Sequence, residues 1–316
     1  MENKVDLDKL KQSKSINELL EFCIINIDKP SGPTSFNVSD YVRETLNKAG
    51  LKISKTSHFG TLDPKVTGVL PIAINRACKL TGYFLGSDKT YVGVMRLHKE
   101  TDIEKLKEVI KNKFLGKIKQ TPPVRSSVKR QEREREIYDF EILERDENKK
   151  DFLFKCKVQG GTYIRKLIDD LGTQLGIGAH MIELRRTKAG IFEELRGNKD
   201  KNKEYPSITL YDLDKTLDEY KKGNKEQLKD ILIPAEIITE IFPSMQVKKE
   251  SVKKLLTGKP LLMIDVINKL NFNKESLICA FNDGQFIGTY KIIDINPKAK
   301  NNEILAKPEF VLQPIK

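Results

Sequence analysis

We predict an α+β protein, in which helices flank a mixed, largely antiparallel sheet and a small β-rich module follows at the carboxyl end. Apolar and alternating runs typical of strands are interspersed with segments of helical periodicity, but without the strict strand–helix rhythm of a parallel sheet. Beyond residue 240 the chain changes to short strands and turns, and Asp283–Gly284 between apolar runs indicates a hairpin. We expect an N-terminal extension over 1–20, a large domain over 21–240 and a small domain over 241–316.

Each element of the large domain is predicted from a local pattern. The predicted strands are the apolar or alternating runs Phe22–Asp28, Val69–Ile74, Lys89–Leu97 and Phe152–Val158. The predicted helices are one capped by Thr34 or Ser35 and ended by Gly50, one over Glu104–Leu115 and one that begins at Thr162. The predicted loops are the Pro- and Gly-rich Lys29–Ser35, the loop His58–Gly68 and the charged segments Gly197–Glu204 and Tyr220–Gln227.

Composition and charge limit the classes of protein that fit. Among 316 residues, 57 Lys and Arg outnumber 45 Asp and Glu, and a net charge of +12 permits an RNA or DNA partner without requiring one. The four cysteines and three histidines are scattered along the chain, so we expect core cysteines in a reducing compartment and no metal site. The chain has no apolar stretch of ~20 residues and no secretory signal, so we expect a cytoplasmic protein without a membrane partner.

Two charged residues stand out on chemical grounds. Pro64 restricts the backbone of Asp63 within the loop His58–Gly68, and a carboxylate on such a rigid turn suits catalysis, although Asp-Pro is also a common turn pair. Arg165 lies in the first turn of a predicted helix, where its charge opposes the helix dipole. That position favours a carboxylate or phosphate partner for Arg165, with an ordinary surface arginine as the alternative.

Five ordered motifs resemble those of the TruB family of pseudouridine synthases. They are KPSGPTS (29–35), HFGTLDPKVTGVLP (58–71), KTYVGVMRLHKETD (89–102), GGTYIRKLIDDLG (160–172) and HMIELRRTKAG (180–190). The segments PPVRSSVKRQ and GAHMIELRRT look most like the archaeal and eukaryotic dyskerin branch, and the carboxyl-terminal module resembles its PUA domain. The resemblance implies that 21–240 is the catalytic domain and 241–316 an RNA-binding domain.

The resemblance implies isomerisation of uridine to pseudouridine in RNA, without a cofactor. Asp63 falls on the family's essential aspartate, and it remains open whether this carboxylate attacks C1′ or takes a proton from the ribose. Tyr91 would stack on the uracil, with its hydroxyl as a candidate to remove the C5 proton. Arg165 would pair with the aspartate and orient it. The remaining pocket positions implied are His58 near the displaced nucleotide, Lys29 bracing the loop and Leu184 against the base.

Two RNA substrate modes follow from the resemblance. The protein would modify uridine 55 in the T loop of tRNA directly, or act as the catalytic subunit of a box H/ACA ribonucleoprotein, with guide RNA, rRNA and small proteins as partners. The short stretch between Tyr91 and Pro122 favours the guided mode. A non-catalytic RNA-binding scaffold is the alternative from another class, but it has no need of Asp63, Tyr91 and Arg165 together. Candidate phosphate contacts, which a solvated helix face would also explain, are Lys129, Arg130, Lys248, Lys249, Lys253 and Lys254.

Overall fold

The computed structural model describes residues 5–122, 129–194, 205–267, 273–293 and 303–313. The helices of these residues are α1 (Leu7–Ser13), α2 (Ile16–Glu21), α3 (Ser35–Lys48), α4 (Thr81–Leu85), α5 (Ile103–Lys113), α6 (Ile164–Gln174), α7 (Leu210–Lys221), α8 (Glu226–Ile231) and α9 (Val252–Leu256). Their strands are β1 (Phe22–Lys29), β2 (Thr56–His58), β3 (Thr67–Asn75), β4 (Lys89–Leu97), β5 (Gly116–Gln120), β6 (Arg133–Arg145), β7 (Asp151–Val158), β8 (Ala179–Ala189), β9 (Phe192–Glu193), β10 (Ile233–Pro234), β11 (Ser244–Gln246), β12 (Leu261–Leu262), β13 (Leu277–Asn282), β14 (Gln285–Ile292) and β15 (Ile304–Val311).

The chain divides into two compact units. The first contains the described residues of Met1–Ile24, Asn75–Lys79 and Leu232–Lys316, and the second those of Ile25–Ile74 and Leu80–Ile231. All six predicted pocket residues belong to the second unit. The predicted loop Gly197–Glu204 lies outside the described residues.

The second unit is built on one mixed sheet. Its strand order is β1-β3-β8-β4-β7-β6-β5, with β2 paired to β3 and β9 paired to β8. β3 and β8 are parallel, whereas β4 is antiparallel to both of its neighbours, β7 and β8. The helices α3, α5 and α6 contact β2, β6 and β8, respectively. This arrangement confirms the predicted α+β class with its mixed, largely antiparallel sheet.

Local sequence explains where these elements begin and end. In β4 the side chains of Tyr91, Met95 and Leu97 are buried and alternate with more exposed positions, which is the period of a strand with one face on the core. Thr34 is the N-cap of α3, because its hydroxyl accepts a hydrogen bond from the backbone N–H three residues later. After α3, Gly50 adopts φ +84°, a conformation that few other residues tolerate.

One predicted loop is shorter than expected. The segment Tyr220–Gln227 was expected to be a surface loop throughout, but α7 continues to Lys221 and α8 already begins at Glu226. Gly223 has φ +98° and provides the chain reversal within four residues, so the charged residues on either side remain helical.

The first unit holds the β-rich module at the carboxyl end. Its five-stranded sheet has the order β11-β13-β14-β15-β12, in which β11 and β13 are parallel and the other pairs are antiparallel. The hairpin predicted at Asp283–Gly284 joins β13 to β14, and both turn residues have positive φ, as a type I′ turn requires. In the same unit β10 pairs with Cys23 and Ile24 at the start of β1.

The cysteines agree with the expected core positions in three of four cases. Cys23, Cys156 and Cys279 are buried, Cys78 is half-buried, and none of these four described residues forms a disulfide. Among the described helices, none combines the length and apolarity needed to cross a membrane.

Candidate active site

The loop that carries Asp63 connects β2 to β3 and is fixed through its main chain. Leu62 is buried, and both of its backbone polar groups bond to Ser35 in the first turn of α3: the Ser35 hydroxyl accepts from the N–H at 2.7 Å and donates to the C=O at 2.9 Å. The C=O of Asp63 accepts a hydrogen bond from the N–H of Val66 at 3.0 Å, which closes a turn. The carboxylate therefore projects from a backbone with little freedom.

Lys29, at the end of β1, anchors the same loop through its ammonium group. Its side chain is fully buried, and the ammonium donates to the carbonyl oxygens of Pro30, Pro64 and Val66, each at 2.9 Å. Burial lowers the pKa of Lys29, and the nearby Asp63 carboxylate opposes that shift. The end of β1 is thus tied to both sides of the Asp63 turn.

Asp63 and Arg165 form an ion pair. The Nη1 atom of Arg165 lies 3.0 Å from the Oδ2 atom of Asp63, and the two side chains are 70% and 53% exposed. Arg165 is the second residue of α6, so its charge opposes the helix dipole, and the partner found there is a carboxylate. The pair faces solvent and is open to a large substrate.

The start of α6 is held in place by two side chains from neighbouring strands. Gln120 at the end of β5 is buried, donates through Nε2 to the C=O of Tyr163 at 3.2 Å, and accepts through Oε1 from its N–H at 3.0 Å. Arg135 on β6 donates to the C=O of Gly161 at 3.1 Å. Since Tyr163 is the N-cap of α6, these bonds fix the turn from which Arg165 extends.

Tyr91 and Leu184 lie on neighbouring strands, β4 and β8. Gly93 is paired with Leu184, and a Cβ atom at Gly93 would lie 3.0 Å from the Leu184 side chain and 2.7 Å from the C=O of Glu183. Tyr91 is 8% exposed and Leu184 7%. Burial raises the pKa of Tyr91, and the Asp63 carboxylate adds to this rise, so the phenol lies within electrostatic reach of Asp63.

His58 ends β2 and is half-buried. Its Nδ1 atom is buried without a hydrogen-bond partner among the described residues. Burial lowers the pKa of His58, and the positive charge of Arg186 lowers it further, which favours the neutral imidazole.

Arg186 is a buried residue that sequence reasoning did not single out. It follows Arg185, which pairs with Asp28 at 2.7 Å and with Glu194 at 2.6 Å and is half-buried. Successive side chains of a strand point to opposite faces, so Arg186 instead enters the core of the unit, where it is 1% exposed. The sequence signal for Arg186 is limited to the arginine doublet within the motif HMIELRRTKAG.

The basic residues predicted to contact RNA differ in their surroundings. Four of the six are exposed: Lys129, Arg130, Lys249 and Lys253. Lys248 is half-buried, and Lys254 pairs at 2.6 Å with the buried carboxylate of Asp265. Lys254 is therefore engaged within its own unit.

The chain matches two models of one enzyme family. Residues 48–164 match the TruB family pseudouridylate synthase (N terminal domain), and residues 165–240 match the tRNA pseudouridylate synthase B C-terminal domain. A relative from Sulfurisphaera tokodaii called probable tRNA pseudouridine synthase B is 38% identical over 310 residues, which cover 95% of this chain and 85% of the relative. A relative of the same name from Nanoarchaeum equitans is 42% identical over 269 residues, which cover 84% and 72%.

Solved structures agree with these relatives. A chain of the crystal structure of a Cbf5-Nop10-Gar1 complex is 34% identical with a TM-score of 0.83, and the match covers 96% of this chain and 89% of that one. A chain of an H/ACA RNP bound to a substrate RNA containing 2′-deoxyuridine is 32% identical with a TM-score of 0.81, at 96% and 89% coverage. With the matching motifs, the mixed sheet and the level of identity to its relatives, this chain belongs to the TruB family of pseudouridine synthases.

Proposed function

We propose that Asp63 is the catalytic carboxylate of this pseudouridine synthase, and that its substrates are uridine 55 in the T loop of tRNA, guide-directed uridines in a box H/ACA ribonucleoprotein, or both. The tRNA substrate is supported by the name that relatives carry, tRNA pseudouridine synthase B. The guided mode is supported by similarity to chains solved in a Cbf5-Nop10-Gar1 complex and in an H/ACA RNP with substrate RNA.

The ion pair of Asp63 and Arg165 is the observation that carries the proposal. The carboxylate stands on a loop anchored through its main chain, and one guanidinium nitrogen holds it at 3.0 Å. A charge-assisted hydrogen bond of this kind orients the carboxylate and stabilises its negative charge. Its exposed position leaves it accessible to the sugar of a nucleotide that has been extruded from folded RNA, at a cost of a few kcal/mol.

The reaction needs no redox partner. The N1–C1′ bond breaks, the uracil turns, C5 bonds to C1′, the C5 proton leaves and N1 gains a proton. Asp63 assists either by attacking C1′, which forms a covalent intermediate, or by taking a proton from the ribose. The flat ring of Tyr91 tolerates rotation of a stacked base, and Leu184 and His58 complete the pocket. The Tyr91 hydroxyl then removes the C5 proton.

Replacing Asp63 with asparagine tests the catalytic assignment. We expect Asp63→Asn to abolish tritium release from tRNA labelled at C5 of uridine, while the RNA dissociation constant stays within a few-fold of wild type. Asp218→Asn is the matched control, because Asp218 is also an exposed aspartate, paired with Lys221 at 3.1 Å, but on helix α7 and not on the Asp63 loop. Turnover by Asp63→Asn at the rate of the control would refute the role of Asp63.

A second experiment separates the two substrate modes. Single-turnover rates are measured on a tRNA transcript with the protein alone, and on a guided target with guide RNA and proteins of the Nop10 and Gar1 kind. Activity on tRNA alone supports stand-alone action, whereas activity that needs guide RNA and partners supports the ribonucleoprotein.

We also propose that 21–240 form the catalytic domain and 241–316 a PUA domain that binds RNA, with 1–20 as an extension. Lys249 and Lys253 are exposed on the carboxyl-terminal module and are available for phosphate contacts. A cytoplasmic location suits the free thiols of this chain.

A further inference from the structure

Arg186 is a buried cation without an acidic partner among the described residues. Its side chain is 1% exposed, Nε donates to the C=O of Val69 at 2.8 Å, and Nη2 donates to the C=O of Gly60 at 3.0 Å. Burying a charge is costly unless it is paired, and here backbone carbonyls and the Tyr91 phenol are what stabilise it. The desolvation cost of this buried guanidinium indicates that its position serves a function beyond packing.

Two glycines on either side of Asp63 lie close to Arg186, one at its backbone and one at its guanidinium. Gly68 pairs with Arg186 across β3 and β8, and a Cβ atom at Gly68 would lie 2.2 Å from the Arg186 carbonyl oxygen. A Cβ atom at Gly60 would lie 3.4 Å from Nη1 of the guanidinium. Both glycines have positive φ; Gly60 belongs to the loop that carries Asp63, and Gly68 is the second residue of β3, directly after that loop. The arginine and the catalytic loop are therefore fitted to each other.

Tyr91 is the neighbour of Arg186 on the next strand. The two residues are directly paired across β4 and β8, which places their side chains on the same face of the sheet, and the guanidinium interacts electrostatically with the phenol. This contact lowers the pKa of Tyr91 against the rise caused by burial. Arginine carries a positive charge and has donors but no acceptor, so a neighbouring guanidinium favours the phenolate over the neutral phenol.

We propose that Arg186 is a positioning residue that makes the Tyr91 hydroxyl a competent base for the C5 proton. The inference rests on the proposed function of Tyr91. Tyr91 loses its proton to water, and the phenolate that forms is stabilised by the guanidinium. The phenolate oxygen then takes the proton from C5, the electrons of the C5–H bond return to the uracil ring, and N1 is protonated by water. The hydrogen bonds of Arg186 go to the backbone, and among the described residues its charge also reaches His58 and Lys89, whose pKa values it lowers.

Isotope effects and a double-mutant cycle test this role. Single-turnover rates are measured on RNA with hydrogen or deuterium at C5 of the target uridine, for wild type, Arg186→Lys, Tyr91→Phe and the double variant. We expect Arg186→Lys to slow wild type at least tenfold, to raise the C5 deuterium isotope effect, and to change the Tyr91→Phe enzyme less than about twofold. Arg185→Lys is the matched control on the adjacent position and should leave the isotope effect unchanged.

The outcomes separate this inference from the proposed function. If wild type forms no pseudouridine, the proposed function fails; if Arg186→Lys costs the same factor in both backgrounds without a change in isotope effect, its role is structural and the inference is overturned. If Arg186→Lys does not fold, 3-fluorotyrosine is introduced at Tyr91, which lowers the pKa of the phenol in the intact enzyme. A shift of the rate of C5 proton loss to lower pH supports the phenolate base, and an unchanged profile refutes it.

Discussion

Replacing Arg165 with methionine should separate catalysis from stability. Arg165 lies in the first turn of α6 and pairs with Asp63 at 3.0 Å, and both side chains are more than half exposed. Methionine keeps a flexible, unbranched side chain but removes the charge and the hydrogen-bond donors. The pair is then lost without a change of core packing.

The expected stability change is small because two terms oppose each other. An exposed ion pair contributes about 0.2–1 kcal/mol to the free energy of unfolding. Removing a cation from the positive end of a helix returns about 0.3–1 kcal/mol. The free energy of unfolding should therefore change by less than about 1 kcal/mol.

The expected change in rate is much larger. A hydrogen bond to a charged group contributes about 1.5–3 kcal/mol when its partner must stay oriented. If the Asp63 carboxylate uses Arg165 in this way in the transition state, and each 1.36 kcal/mol is tenfold, the single-turnover rate falls about 10- to 150-fold.

Urea unfolding and tritium release from C5-labelled tRNA measure the two quantities on the same protein. Lys166→Met is the control, because Lys166 is the next residue of the same turn and pairs instead with Asp169 at 2.8 Å and Asp170 at 2.6 Å. We expect Lys166→Met to react at nearly the wild-type rate. An Arg165→Met enzyme that keeps its rate within threefold, or that loses more than 2 kcal/mol of stability, would contradict this reasoning.

Three further predictions follow from buried groups near the site. Lys29→Met leaves three backbone carbonyls without their ammonium donor, so it should lower the free energy of unfolding, measured in urea, by about 2–4 kcal/mol. Lys65 is exposed, and Lys65→Met should change the free energy of unfolding by less than about 0.5 kcal/mol. Burial lowers the pKa of Lys89 from 10.5 to about 8, so the unfolded chain binds more protons between these values. Wild-type stability should then rise relative to Lys89→Met by up to about 1.4 kcal/mol per pH unit above pH ~8, and parallel curves would disprove this. Gly68→Ala should lower the free energy of unfolding by about 3 kcal/mol or more, because the added Cβ would lie 2.2 Å from a backbone carbonyl oxygen. Gly50→Ala should lower it by about 1 kcal/mol, because no heavy atom lies within 4 Å of its Cβ. Equal losses in the two variants would count against the close approach at Gly68.

Local patterns predicted those parts of the fold that depend on neighbours in sequence. Lys89–Leu97 alternates between buried and exposed positions, and the strand has those bounds. The central strand β8 was not identified as a strand, because Glu183, Arg185 and Arg186 interrupt its apolar pattern. Its place between β3 and β4 depends on pairing with residues more than eighty positions earlier, which no local spacing encodes.

The same distinction holds for the site. Motif order indicated that Asp63 and Arg165 belong together, and their side chains meet although 102 positions separate them. The arginine doublet at 185 and 186 carried no such indication. Which of the two enters the core depends on the facing of β8 in the sheet, and this is settled only by the tertiary pairing.

Anchoring of the Asp63 loop through its main chain has an evolutionary consequence. Ser35 and Lys29 form hydrogen bonds with backbone amide and carbonyl groups of the loop. The exposed side chains of Thr61 and Lys65 therefore take no part in this attachment. Substitutions at those two positions can alter the contacts that the surface of the loop makes with RNA while the Asp63 carboxylate stays where it is. Catalytic machinery and target preference are thereby free to diverge independently in different lineages.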